Sequence, residues 1–217
     1  MMKPFREHRG KVAKLERANV DTDQIIPKQF LKSVQRTGFG EGLFFDWRYN
    51  DDGTENPDFE LNKPRYEGAS ILFAGNNFGC GSSREHAVWA VLQYGFRVVV
   101  APRKESADGE VNAFADIFRS NGFNNGLLTI ELSEGEVAEI FELIEENEGL
   151  EATVDLQSQD IVFHTAGEPA YSFEINPTVR QNLLGGKDPI AQTLESEKHI
   201  SKYEDEKEGK IFSPDSR

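Results

Sequence analysis

A glycine-rich turn between an apolar tetrapeptide and a helical pattern constrains this chain more than any other stretch: Gly75-Asn-Asn-Phe-Gly-Cys-Gly-Ser-Ser-Arg-Glu-His-Ala87. Ile71 to Ala74 reads as a strand, while Ala87, Val91 and Tyr94 recur at helical spacing and Gly95 stops the helix. Gly75, Gly79 and Gly81 permit left-handed backbone and close approach of a ligand, so their N–H groups can converge on an anion at the positive helix end. Arg84 adds a planar fork suited to a carboxylate. The same residues admit a plainer reading, because Ser82-Ser-Arg-Glu85 has the spacing of a capping box, in which serine only satisfies an orphan N–H. A cap alone leaves unexplained the three glycines and the second hydroxyl followed by arginine. His86 reads as a surface or hydrogen-bonded residue, and Cys80 as a small packing residue rather than a catalytic thiol.

Asn77 to Ala87 resembles the signature of the swivel domain of the aconitase superfamily, and more narrowly that of the 3-isopropylmalate dehydratase small-subunit family. Further blocks resemble that family in its order: Asn19 to Pro27, Arg36 to Phe39, Leu43 to Arg48, Phe114 to Phe118 and Asn125 to Leu128, so that the likeness runs from about residue 5 to about residue 200. The resemblance implies an α/β fold of the swivelling β/β/α three-layer type. It also implies a hydro-lyase that moves a hydroxyl between adjacent carbons of isopropylmalate through an alkene diacid, in leucine biosynthesis. Ser82 would then act as the alkoxide-like base and Arg84 as the carboxylate fork, with Gly81 and Ser83 as further substrate contacts. The loop from Lys32 to Thr37 would close on substrate and choose among side chains, its basic residues Lys32 and Arg36 meeting a carboxylate while Val34 or Phe30 lines an apolar pocket. The plainer alternative for that loop is a basic surface helix end.

The family uses a 4Fe–4S cluster held by several cysteine thiolates, whereas this chain has Cys80 alone and its four histidines, His8, His86, His164 and His199, form no ligand-spaced pair. No cofactor is expected on this chain. The resemblance places the cluster on a larger partner subunit, in a hetero-oligomer. Asp21 and Asp23 read as caps of backbone N–H groups rather than metal ligands. Two alternatives stay open: the small subunit of a homoaconitase-like or methylmalate-type hydro-lyase, and a detached swivel domain that binds without catalysing.

With 24 Lys+Arg against 38 Asp+Glu the net charge is −14, which disfavours nucleic acid as a partner. No apolar run is long enough to span a bilayer, and the start Met-Met-Lys-Pro-Phe-Arg lacks a signal-peptide core; a cytoplasmic location is the default expectation. From Glu131 to Gly149 there are eight glutamates and no lysine or arginine, yet Val137, Ile140, Phe141 and Ile144 form a helical stripe, and Ser133 with Glu136 makes a capping box. Strands are expected over 12–17, 70–74, 97–101 and 127–132, with a hairpin over 152–156 and 161–165, a third strand over 171–175 and a short helix ending at Gly185-Gly186. Relative to the family pattern about ten residues, Arg103 to Asn112, are inserted, and they read as a polar surface excursion. One swivel domain is expected over 1–195, and over 196–217 a charged, partly disordered tail made of a final helix fragment and a disordered end.

Overall fold

The computed structural model describes residues 2–32, 37–106, 109–188, 191, 193, 194, 197 and 201–203. Its first strand, β1 (Glu7–Leu15), divides its pairing between two neighbours. Glu7 to Lys11 run antiparallel to β6 (Glu151–Asp155), and Val12 to Leu15 run parallel to β2 (Ile71–Ala74). Between β1 and β2 lie two single-turn helices, α1 (Thr22–Ile25) and α2 (Phe45–Arg48), with several 3₁₀ turns. After β2 come α3 (Glu85–Tyr94), β3 (Val98–Ser106), β4 (Gly109–Val111), α4 (Asp116–Asn125), β5 (Leu128–Ser133) and α5 (Glu134–Glu146). Beyond β6 follow β7 (Asp160–Phe163), β8 (Ala170–Ser172) and α6 (Pro177–Gly185).

The strands form one eight-stranded sheet in the order β4-β3-β2-β1-β6-β7-β8, with β5 paired to β3. β1, β2, β3 and β5 are parallel to one another; β6, β7 and β8 continue antiparallel. Burial follows that division. All four residues of β2 are buried, as befits an interior parallel strand, whereas β6 and β7 alternate between buried and partly exposed positions. Phe73 of β2 and Phe163 of β7 are three strand spacings apart along the sheet, about 14 Å if it were flat. Their ring centroids are 5.8 Å apart. The sheet therefore curls until its antiparallel half lies over its parallel half, giving two β layers. Helices supply the third: α5 packs on β1, β3 and β5, and α3 packs on α4. The β/β/α expectation is met.

Local expectations hold unevenly. The capping box at Ser133 and Glu136, the β6–β7 hairpin and the end of α6 at Gly186 are all present. The first strand begins five residues earlier than the apolar pattern signals, because Glu7 to Lys11 pair through their backbones and bury little. The insertion is not a plain loop. Lys104 to Ser106 extend β3 and pair antiparallel with β4, and Lys104 bonds Glu134 at 3.0 Å. Of the tail, 197 and 201–203 are described, all helical, in line with the expected helix fragment; the expected disordered end falls outside the described residues.

Candidate active site

The glycine-rich turn leaves the C-terminal end of β2, on the edge of the parallel sheet where α/β folds place ligands. Left-handed residues alternate along it: Asn77, Gly79 and Gly81 have φ of 57°, 76° and 86°. Gly79 and Gly81 are glycine for two reasons, since a Cβ on the first would enter the Phe118 side chain and on the second the Asp21 carboxylate. Phe78, between them, is buried against Phe44, Phe114 and Phe118, which pins the turn to the core.

The N–H groups do not all converge on an anion. Those of Gly75, Asn77, Phe78 and Gly79 donate to the carbonyls of Arg17, Asn112, Ala113 and Val20, at 2.8 to 3.1 Å. Among the described residues, the N–H groups of Asn76 and of the stretch from Cys80 to Arg84 have no such acceptor. Gly81, Ser82 and Ser83 are also the exposed part of the turn.

The capping-box spacing at Ser82 is not realised. α3 starts at Glu85, its N-cap is Arg84 in extended conformation, and no side chain caps it. Ser82 lies two residues upstream of the cap and Glu85 occupies the first helical position instead of the third, so neither side chain reaches the N–H that the motif would satisfy. Glu85 instead accepts a hydrogen bond from Asn125 Nδ2 at 2.9 Å, and Asn125 Oδ1 accepts one from Trp89 Nε1 at 3.0 Å, which ties α3 to the end of α4. His86 packs edge-on to Phe39 and against Trp89, in keeping with a structural role. Burial, with Asp21 nearby, pushes the Cys80 thiol up and keeps it protonated.

Three consecutive residues of the chain hold the motif from behind. Asp21 forms an isolated parallel bridge with Cys80, Thr22 N donates to Cys80 O at 2.8 Å, and Thr22 Oγ1 donates to Ser82 O at 2.8 Å. Thr22 is only 2% exposed. Asp21 caps α1 as expected, its side chain accepting from Asp23 N at 2.7 Å while Gln24 reaches back to Asp21 N. Asp23 does not act as a cap: its carboxylate is ion-paired with Arg84 Nη1, and Lys28 Nζ stands 3.7 Å away. That pairing crosses 61 positions of sequence, and no local signal announces it.

The substrate-loop expectation is only partly within reach. Val34 and Arg36 lie outside the described residues, as does the side chain of Lys32; Thr37 is exposed. Both flanks are anchored. Phe30, partly buried, meets the ring of Phe45 edge-on at 5.1 Å and covers Gly42. Phe39 is buried against Trp89, with its N–H donated to Gln93 Oε1 at 2.9 Å. The loop thus returns onto α3, the helix that begins beside Arg84. A cleft of about 550 Å³ lined by Arg103, Arg119, Glu131 and Phe173 does not include the serine motif. The motif lies open, with Gly81, Ser82 and Ser83 exposed.

Two family models match this chain: one described as the aconitase C-terminal domain over residues 2–135, the other as LeuD_N over residues 138–177. The 3-isopropylmalate dehydratase small subunit of Desulforapulum autotrophicum is 55% identical over 94% of this chain and 95% of its own length. The chain belongs to the 3-isopropylmalate dehydratase small-subunit family. The small subunit of Bacillus pumilus is 52% identical over 95% of this chain and 97% of its own. Among solved structures, that of 3-isopropylmalate dehydratase (leuD) from Methanocaldococcus jannaschii superposes with a TM-score of 0.61 at 25% identity, covering 91% of this chain and 99% of that one. The family's aconitase-type domain therefore carries the whole turn from Gly75 to Ala87.

Proposed function

We propose that this chain is the base-bearing half of a two-subunit hydro-lyase that interconverts 2-isopropylmalate and 3-isopropylmalate by dehydration and rehydration. The observation that carries the reading is the position of Ser82: exposed, released from capping, at the bare N-terminus of α3 and two residues from Arg84. Ser82 Oγ takes the carbon-bound proton, and the uncapped helix end with the N–H groups of Gly81 to Ser83 stabilises the anionic oxygen that this requires. Arg84 binds a substrate carboxylate alongside, and Gly81 and Ser83 frame it. Lys32, Val34, Arg36 and Thr37 complete the specificity contacts.

The residues of this chain do not fit an iron–sulfur cluster. Its only cysteine is Cys80, and among the described residues no group of three or more His, Cys, Asp or Glu side chains could hold a metal ion. The proposal puts the cluster on a larger partner, where it supplies the Lewis acid that takes the hydroxide. The open face around Ser82 meets that partner, so that base and Lewis acid approach one substrate from opposite sides. The chain purified alone is expected to be colourless, free of iron and inactive, and to give isopropylmalate isomerisation when mixed anaerobically with the cluster subunit. Turnover by the isolated chain would overturn the reading.

A further inference from the structure

We infer that Asp23 is a positioning residue for Arg84, holding one corner of the guanidinium so that the opposite edge is presented to a substrate carboxylate. The inference rests on the reading of Arg84 given above. Arg84 is 14% exposed and Asp23 40%, so the pair is sheltered on the arginine side and wet on the carboxylate side. Only Nη1 of Arg84 is engaged by Asp23. Among the described residues, Nε and Nη2 carry no hydrogen bond, which leaves the two parallel donors of one guanidinium edge for a bidentate ligand.

Asp23 is itself held in place. Its N–H is bonded to the Asp21 carboxylate, and the preceding Thr22 is fastened to Cys80 and Ser82. The segment Asp21 to Asp23 therefore registers against Cys80, Ser82 and Arg84, so base and fork share one template. A long arginine side chain loses much rotamer freedom when it is fixed. Fixing it before substrate arrives removes that cost from binding. Lys28, 3.7 Å from the same carboxylate, offsets part of its charge. Asp23 consequently competes with substrate less than a bare carboxylate would.

A competing carboxylate and a positioning carboxylate predict opposite signs. In the reconstituted enzyme Asp23→Ala is expected to raise the KM for isopropylmalate by roughly tenfold or more, the worth of a charge-assisted bond, with a smaller fall in kcat. Asp23→Asn, whose amide oxygen still accepts from Nη1, is expected to fall between the two, and melting curves of each variant separate loss of fold from loss of position. An unchanged or lowered KM in both folded variants overturns the proposal. The double variant decides whether the effect runs through Arg84: on an Arg84→Lys background, Asp23→Ala should add little. Full additivity there also overturns it. If Arg84→Lys alone leaves KM untouched, the reading of Arg84 as the carboxylate fork fails instead. Nitrogen-15 NMR of the arginine side chains in the chain alone gives a readout free of activity: guanidinium rotation at Arg84 should quicken in Asp23→Ala, and unchanged rotation overturns the positioning role.

Discussion

Replacing Ser82 by alanine removes one hydroxyl from an exposed turn where it caps no helix. A lost N-cap costs about 0.5–2 kcal/mol, whereas an exposed substitution away from such features stays within about 0.5 kcal/mol. The melting temperature of Ser82→Ala should therefore match that of the parent. Turnover in the reconstituted complex should fall by roughly 10²–10⁴-fold, the contribution of a positioned general base. Assay and thermal melt on one preparation check both, and near-normal turnover would remove Ser82 as the base. At this scale much of the site was legible: the glycines, both serines and Arg84 lie within ten residues, and their chemistry is local. What could not be read was the register of the cap. Spacing alone does not tell whether α3 starts at Ser83 or at Glu85, and the template from Asp21 to Asp23 exists only after the chain has folded back across some sixty positions.

Helix α5 shows an element whose ends are both fastened. At its start Ser133 N donates to Glu136 Oε2 at 2.8 Å, and Glu136 N donates back to Ser133 Oγ at 3.3 Å. At its end Arg65 Nη2 donates to the carbonyls of Ile144 and Glu145, while Lys14 bonds the Glu145 carboxylate at 2.7 Å. The first fastening spans four residues and was read from spacing; the second comes from residues 14 and 65 and was not. Ser133→Ala is expected to cost about 1 kcal/mol, or roughly 2–4 °C in melting temperature for a chain of this size. Differential scanning calorimetry checks it, and an unchanged transition would show that the box contributes nothing. The insertion over 103–112 teaches the converse: polar composition signalled a loop, yet backbone pairing with Gly109 to Val111 made it a hairpin.

At the scale of the whole molecule, His8 in the antiparallel half of β1 reaches toward the parallel half, its Nε2 2.8 Å from Ser70 Oγ just ahead of β2. Burial, and then the charges of Arg97 and Lys3, lower its pKa below the ordinary 6.5. The unfolded chain takes up a proton near 6.5 that the folded chain admits only at lower pH. Stability contributed by the neutral ring is thus fully present above that value and declines as pH falls through it. His8→Gln should flatten the loss of stability as pH falls below 6.5 in urea titrations, and an unaltered slope would dismiss the histidine as its source. The layered class was legible through family likeness, while the curl that brings Phe73 onto Phe163 leaves no mark in either strand. The divided pairing of β1 also sets a clock on synthesis. Its parallel partner β2 ends at Ala74, but its antiparallel partner begins at Glu151. At about 5–20 residues per second, the half-strand from Glu7 to Lys11 waits several seconds on the ribosome as an open edge. Glu7, His8, Arg9 and Lys11 are the charged and polar residues that hid this strand from an apolar pattern. On a nascent chain the same residues keep a stranger's strand from pairing there first.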